Sequence, residues 1–148
     1  MAASVLRRSE RPRASVLLVE DDEVVREVLA AAFESAGWNV EHAASCEGMS
    51  RVFRRKAVDV LVVDRHLPDG DGWTAASNLR QRAPNANLVV IATTAHLALS
   101  NAERALVAGC EAFIEKPCAP EDVVSEAARL LGSRTPNTTT RRKRLRDT

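Results

Sequence analysis

Five residues suited to charge-dependent chemistry stand at the ends of apolar runs. Glu20 and Asp21 follow "VLLV" (16–19), and Asp64 closes "VDVLVVD" (58–64). Thr94 closes "NLVVIATT" (87–94), and Lys116 closes "EAFIEK" (111–116). Three carboxylates brought together repel, so each resists ionisation unless a cation compensates. A Mg2+ ion compensates with a few carboxylates and retained water. Lys116 adds positive charge and Thr94 a hydroxyl donor, which makes a pocket suited to an incoming phosphoryl group. Asp69 and Asp71 in "VVDRHLPDGDGW" (62–73) raise other chemistries. A calcium loop starting at Asp69 would need an acid at position five and Glu at position twelve. Those places hold Trp73 and Arg80. "GDGWTA" (70–75) has the form of a dinucleotide fingerprint, but it follows the third apolar run rather than the first. It also sets Asp71 where a pyrophosphate would approach. Asp69 and Asp71 therefore read as turn residues, with Asp71 placed to start a helix near Gly72.

These residues act together only if the fold brings the run ends to one place. The remaining apolar run is "WNVEHA" (38–43). The first, third and fourth runs are nearly continuous Val, Leu and Ile, as strands buried on both faces require. Between the runs, apolar residues recur at helical spacing. In 23–36 the face is Val24, Val25, Val28, Leu29, Ala32 and Phe33, and Gly37 is a natural stop. Further helices are expected over 46–56, 72–82 and 97–108, and from Pro120 to Gly132. Strict β-α alternation with right-handed crossovers gives an α/β domain with a doubly wound, five-stranded parallel sheet and helices on both faces. Chemistry in such sheets gathers beyond the carboxyl ends of the strands. That edge holds Glu20, Asp21, Asp64, Thr94 with Ala95, and Lys116 with Pro117.

The net charge of +1 conceals an uneven distribution. Residues 1–14 carry +3 and residues 133–148 carry +5, while the span between them carries −7. The ordered domain is expected over 15–132, between a basic, disordered N-terminus (1–14) and a basic, disordered C-terminal tail (133–148). With so short a tail, no folded output domain is expected within this chain. Cys46, Cys110 and Cys118 form no C-x-x-C pair, and no apolar run reaches the roughly 18 residues of a membrane helix. A cytoplasmic protein is expected.

The motifs "LLVEDDEVVREVL" (17–29), "VVDRHLPDGDGW" (62–73), "IATTAH" (91–96) and "FIEKP" (113–117) resemble those of response regulator receiver domains. These are the phosphoacceptor modules of two-component signalling, and the likeness to single-domain chemotaxis-type regulators covers about 15–132. The resemblance implies a flavodoxin-like sheet of order 2-1-3-4-5. It implies that Asp64 is phosphorylated from a phosphohistidine. It makes Asp21 a direct Mg2+ ligand, has Glu20 hold the ion through water, and adds the His66 backbone carbonyl. The phosphoryl-binding and switch set is then Thr94 (rather than Thr93), Ala95, Phe113, Lys116 and Pro117, with a cis bond before Pro117. Such a protein is a phosphoacceptor with self-catalysed phosphorylation and slow dephosphorylation, not an enzyme in the usual sense. Its partners would be a sensor histidine kinase or histidine phosphotransfer protein, and a downstream protein. A homodimer through the fourth helix, fifth strand and fifth helix would also be open to it, and nucleic acid only through the basic tail.

Two features depart from the usual pattern. His66 and His96 lie two residues after Asp64 and Thr94, beside the path of a hydrolytic water, where they would tune the phosphoryl lifetime. Arg65 stands where an apolar residue is more usual, and a solvated side chain is expected there. The leading reading is a stand-alone receiver, with a phosphorelay intermediate as the alternative inside the family. A Mg2+-dependent phosphohydrolase of similar topology is the alternative outside it. That chemistry wants an acid two residues after Asp64, where His66 stands.

Overall fold

The computed structural model describes residues 13–82, 87–95, 99–100, 103–104, 107 and 109–133. The basic ends, 1–12 and 134–148, lie outside the described residues, and so do His96 and much of the expected helix over 97–108. Five strands form one parallel sheet: β1 (Ser15–Val19), β2 (Asn39–Ala43), β3 (Val60–Asp64), β6 (Val89–Thr94) and β7 (Ala112–Glu115). The spatial order is β2-β1-β3-β6-β7. A separate two-residue ribbon, β4 (His66–Leu67) with β5 (Gly70–Asp71), sits in the loop after β3. Without that ribbon the order is 2-1-3-4-5. Among the described residues the helices bounded at both ends are α1 (Glu23–Ser35), α2 (Cys46–Arg55), α3 (Gly72–Arg82) and a last helix, Pro120–Gly132.

The strand sequences explain the two-sided sheet. β3 and β6 are buried at every position, as their unbroken apolar runs demand, whereas edge strand β2 is largely part-exposed. Alternate side chains feed two cores. One joins Leu17, Leu61, Val63, Val90 and Ala92 to Met49 of α2 and Trp73 of α3. The other joins Val16, Leu18, Val62 and Ile91 to Phe33 of α1 and Ala127 of the last helix.

Local chemistry sets the helix ends. Asp22 caps α1 by accepting the Val25 N–H at 3.1 Å. At its other end Gly37 takes φ +94°, a conformation that suits a residue without Cβ. Gly37 N–H then reaches Glu34 O and Trp38 N–H reaches Phe33 O, both at 3.0 Å. The Phe33 and Trp38 rings meet edge to face at 5.1 Å, which completes the hydrophobic half of this C-terminal cap.

One expectation changes. Val24 and Val28 are 71% and 49% exposed, so they lie outside the core. The α1 face that packs inward runs through Ala30 and Phe33. Val24 and Val28 instead rim a groove of about 430 Å3 between α1 and the last helix, which also takes in Cys118 and Pro120. Within the stretch expected to be helical from residue 97, two of the described residues are joined by their side chains. Ser100 and Glu103 form a reciprocal cap, Ser100 N–H to Glu103 Oε1 at 2.6 Å and Glu103 N–H to Ser100 Oγ at 3.2 Å. The S-x-x-E spacing is the signature of that cap, and the bounds expected for the helix, 97 to 108, lie largely outside the described residues.

Candidate functional site

Glu20 stands one residue past β1 and Asp64 is the last residue of β3, so parallel pairing of these strands sets the two acids side by side. Ligand oxygens of Glu20, Asp21 and Asp64 all fall within 4.8 Å of one another. Glu20 and Asp64 are 5% and 6% exposed, and Asp21 is open to solvent. Two contacts fix Glu20. Its carboxylate accepts the Asp22 N–H at 3.1 Å, and Arg26 Nη1 donates to its backbone carbonyl at 2.7 Å. Lys116, just past β7, reaches Glu20 Oε1 at 2.7 Å and Asp64 Oδ1 at 3.4 Å.

The electrostatics follow from this crowding. Burial raises the Asp64 pKa; Lys116 opposes the rise and Glu20 adds to it, leaving the value above its ordinary 3.8. Burial works against the charge on Lys116, but the bonds and charge of Glu20 and Asp64 outweigh it and raise its pKa. The acidic cluster offers only oxygen donors and more negative charge than one lysine cancels. This donor set fits Mg2+.

A stability prediction follows. A carboxyl whose folded pKa is raised is easiest to accommodate protonated. The metal-free protein therefore loses stability as pH rises from the ordinary carboxylate value through the folded pKa of Asp64. Asp64→Asn should melt higher than the parent without metal at neutral pH, and the two should converge in acid. Adding Mg2+ at one hundred times its Kd should stabilise the parent by about 2.7 kcal/mol and the variant by far less. A variant that melts lower without metal would contradict the charge-crowding account.

The other expected residues have these places. Thr94 ends β6 and is 1% exposed, and its carbonyl accepts the Lys116 N–H at 2.7 Å. Thr93 pairs across from Asp64, and its hydroxyl donates to Val63 O at 3.4 Å. Ala95 lines the groove beside α1. Phe113 is buried and meets Trp73 edge to face at 5.9 Å. The Lys116–Pro117 bond is cis. His66 is exposed in β4, with its Nε2 3.4 Å from Arg65 Nη1.

The loop after β3 holds residues whose partners the sequence does not show. Asp71 does cap α3, accepting Trp73 and Thr74 N–H at 2.9 and 3.1 Å. Asp69, read as a turn residue, reaches across to α2 and accepts the N–H groups of Cys46 and Glu47 at 2.8 and 3.0 Å. These bonds lower its pKa, whereas burial and the nearby Asp69 charge push the Cys46 thiol up to about 11. Asp69→Ala should lower the melting temperature by several degrees at pH 7. The difference should vanish as the pH falls through the depressed folded pKa of Asp69, where the protonated carboxyl no longer stabilises. Equal melting temperatures at pH 7 would show that the bridge contributes nothing. Arg65, expected to be solvated, is instead paired on several sides.

The sheet order and the crossover helices define a flavodoxin-like α/β domain. Residues 16–128 match the response regulator receiver domain family, and the chain belongs to it. A relative named "Probable transcriptional regulatory protein TcrX", from Mycobacterium tuberculosis, is 34% identical over 126 residues, which cover 85% of this chain and 53% of the relative. The photosynthetic apparatus regulatory protein RegA of Rhodobacter capsulatus is 32% identical over 111 residues, covering 75% and 59%. The chain thus spans little more than half the length of these two relatives. Among solved structures, the non-phosphorylated HemR receiver domain of Leptospira biflexa superposes with TM-score 0.73 at 28% identity, covering 85% of this chain and all of that one. No helix among the described residues is long and apolar enough to cross a membrane.

Proposed function

We propose that this receiver domain takes a phosphoryl group onto Asp64 and thereby switches a protein-binding surface. The supporting observation is the position of Asp64. It is a buried carboxylate at a strand tip, with Lys116 at 3.4 Å and the oxygens of Glu20 and Asp21 within 4.8 Å. A carboxylate oxygen of Asp64 attacks the phosphorus of a kinase phosphohistidine. A P–O bond forms, the P–N bond breaks, and the electron pair leaves with the imidazole. Such a transfer needs alignment and charge neutralisation more than covalent help from the protein. Glu20, Asp21, Asp64 and the His66 carbonyl would hold Mg2+, which when bound neutralises charge on the phosphoryl oxygens. Lys116 supplies the fixed cation. Thr94 and Phe113 then respond as the switch pair, shifting a population between two states.

The test is phosphotransfer from candidate histidine kinases, read as a mass gain of one phosphoryl group. The gain should be single, should require Mg2+, and should be lost in Asp64→Ala. A gain that persists in that variant would overturn the assignment. Steady multiple turnover of phosphate esters would instead favour a phosphohydrolase. We further propose that the His66 ring lies beside the hydrolytic water, so His66→Ala should change the lifetime of the phosphorylated form.

A further inference from the structure

Arg65 joins two parts of the molecule that the site alone does not connect. Its backbone is fixed at both ends: the N–H donates to Thr93 O at 3.3 Å and the carbonyl accepts Gly72 N–H at 2.7 Å. Its side chain leaves the strand tip and divides. Nε donates to Asp71 Oδ2 at 3.1 Å, and Nη1 forms an ion pair with Glu103. The guanidinium also lies over the Trp73 ring, 5.9 Å from its centroid. Glu103 is the residue that closes the cap with Ser100. One carboxylate therefore both closes the cap with Ser100 and is fastened to the residue next to Asp64. The side chains of Arg65 and Glu103 are only 26% and 12% exposed, so solvent screens this pair less than an ordinary surface pair.

We propose that the Arg65–Glu103 pair is an electrostatic latch that holds the Ser100–Glu103 cap against the phosphorylation loop, and that it opens when Asp64 is phosphorylated. This rests on the reading of Asp64 as the phosphoryl acceptor. The guanidinium is already held by Asp71, so a shift of Ser100 and Glu103 away from the β3 tip forfeits only the Glu103 pair and leaves Arg65 with Asp71. Inward movement of Thr94 is the rearrangement that would shift Ser100 and Glu103, six and nine residues further along the chain. An interaction present in one state only biases the equilibrium toward that state. The latch thus opposes phosphorylation, and Arg65 acts as a positioning residue.

The experiment is phosphorylation of the full chain by acetyl phosphate with Mg2+, with the initial rate followed by intact mass. Arg65→Gln and Glu103→Gln should each raise the rate about fivefold, the scale of a partly exposed ion pair. The double variant should be no faster than either single one, because both remove the same contact. The two substitutions change net charge in opposite senses. A pure field effect on the anionic donor would therefore move the two rates in opposite directions, and loss of structure would slow both. Either pattern, or unchanged rates beside an active parent, overturns the latch and leaves the acceptor reading intact. If the parent takes up no phosphoryl group from acetyl phosphate or any kinase, both fall together.

Discussion

Gly72→Ala is expected to cost about 3 kcal/mol or more in urea unfolding, the upper range of overpacking in a site that cannot relax. A Cβ at this position would lie 2.0 Å from the backbone oxygen of Asp64 and 3.0 Å from side-chain carbons of Leu67 and Val63. The nearest obstacle is backbone, so no rotamer change relieves it. The start of α3 would have to withdraw from the β3 tip, breaking the 2.7 Å bond from Gly72 N–H to Arg65 O. The glycine is needed for close approach rather than for an unusual dihedral, since only Gly37 and Gly70 have positive φ among the described residues. Gly132→Ala is the control: nothing lies within 4 Å of its Cβ. It should be neutral or gain up to about 1 kcal/mol. A Gly72→Ala protein within about 0.5 kcal/mol of the parent would refute the packing argument. Because the displaced atom belongs to Asp64 itself, the same variant should also phosphorylate more slowly.

The second large effect is expected at Arg80. Its guanidinium donates to Gly109 O at 2.7 Å, to Leu88 O at 2.5 Å and to both Glu111 oxygens at 2.7 and 2.8 Å. Glu111 Oε1 also accepts the Val90 N–H at 2.7 Å. One side chain of α3 therefore closes the amino ends of β6 and β7, where the side chains of the pair are only 25% and 12% exposed. Arg80→Met keeps the aliphatic stem, removes every donor and leaves two carbonyls and a carboxylate short of partners. A loss of about 3 kcal/mol is expected, near the lower end for breaking a buried pair. Glu111→Gln should lose less, because its amide oxygen can still accept Val90 N–H. A loss below about 1 kcal/mol for Arg80→Met would place the clamp among ordinary surface pairs.

The acids at the strand ends were legible because the signal is local. Unbroken apolar runs mark buried parallel strands, and parallel topology puts all their carboxyl ends on one edge. Glu20 and Asp64 needed no further information. Asp71 was legible as a cap for the same reason, since a cap acts two or three residues onward. Asp69, Arg65 and Arg80 were not. Asp69 binds a helix start 23 residues earlier, and Arg80 a carboxylate 31 residues later. Such pairings depend on how the elements pack, and side-chain type alone does not choose the partner. Val24 and Val28 misled in another way. Helical periodicity identifies an apolar stripe, but only the neighbouring helix decides how much of it is covered. The Ser100–Glu103 pair is different again, because its S-x-x-E spacing was present in the sequence and is local enough to be read there.

The partition of the core gives the molecule two built-in optical reporters. Trp38 belongs to the layer between the sheet and α1 with the last helix, and Trp73 to the layer between the sheet and α2 with α3. Each has one aromatic neighbour of its own, Phe33 for the first and Phe113 for the second. There are no tyrosines to blur the emission. A pair of variants, each keeping a single indole, would record the melting of the two layers separately. Coincident curves would mean that the sheet transmits unfolding from one side to the other as a unit. Curves that part would time the layer holding Phe113 against the layer behind it.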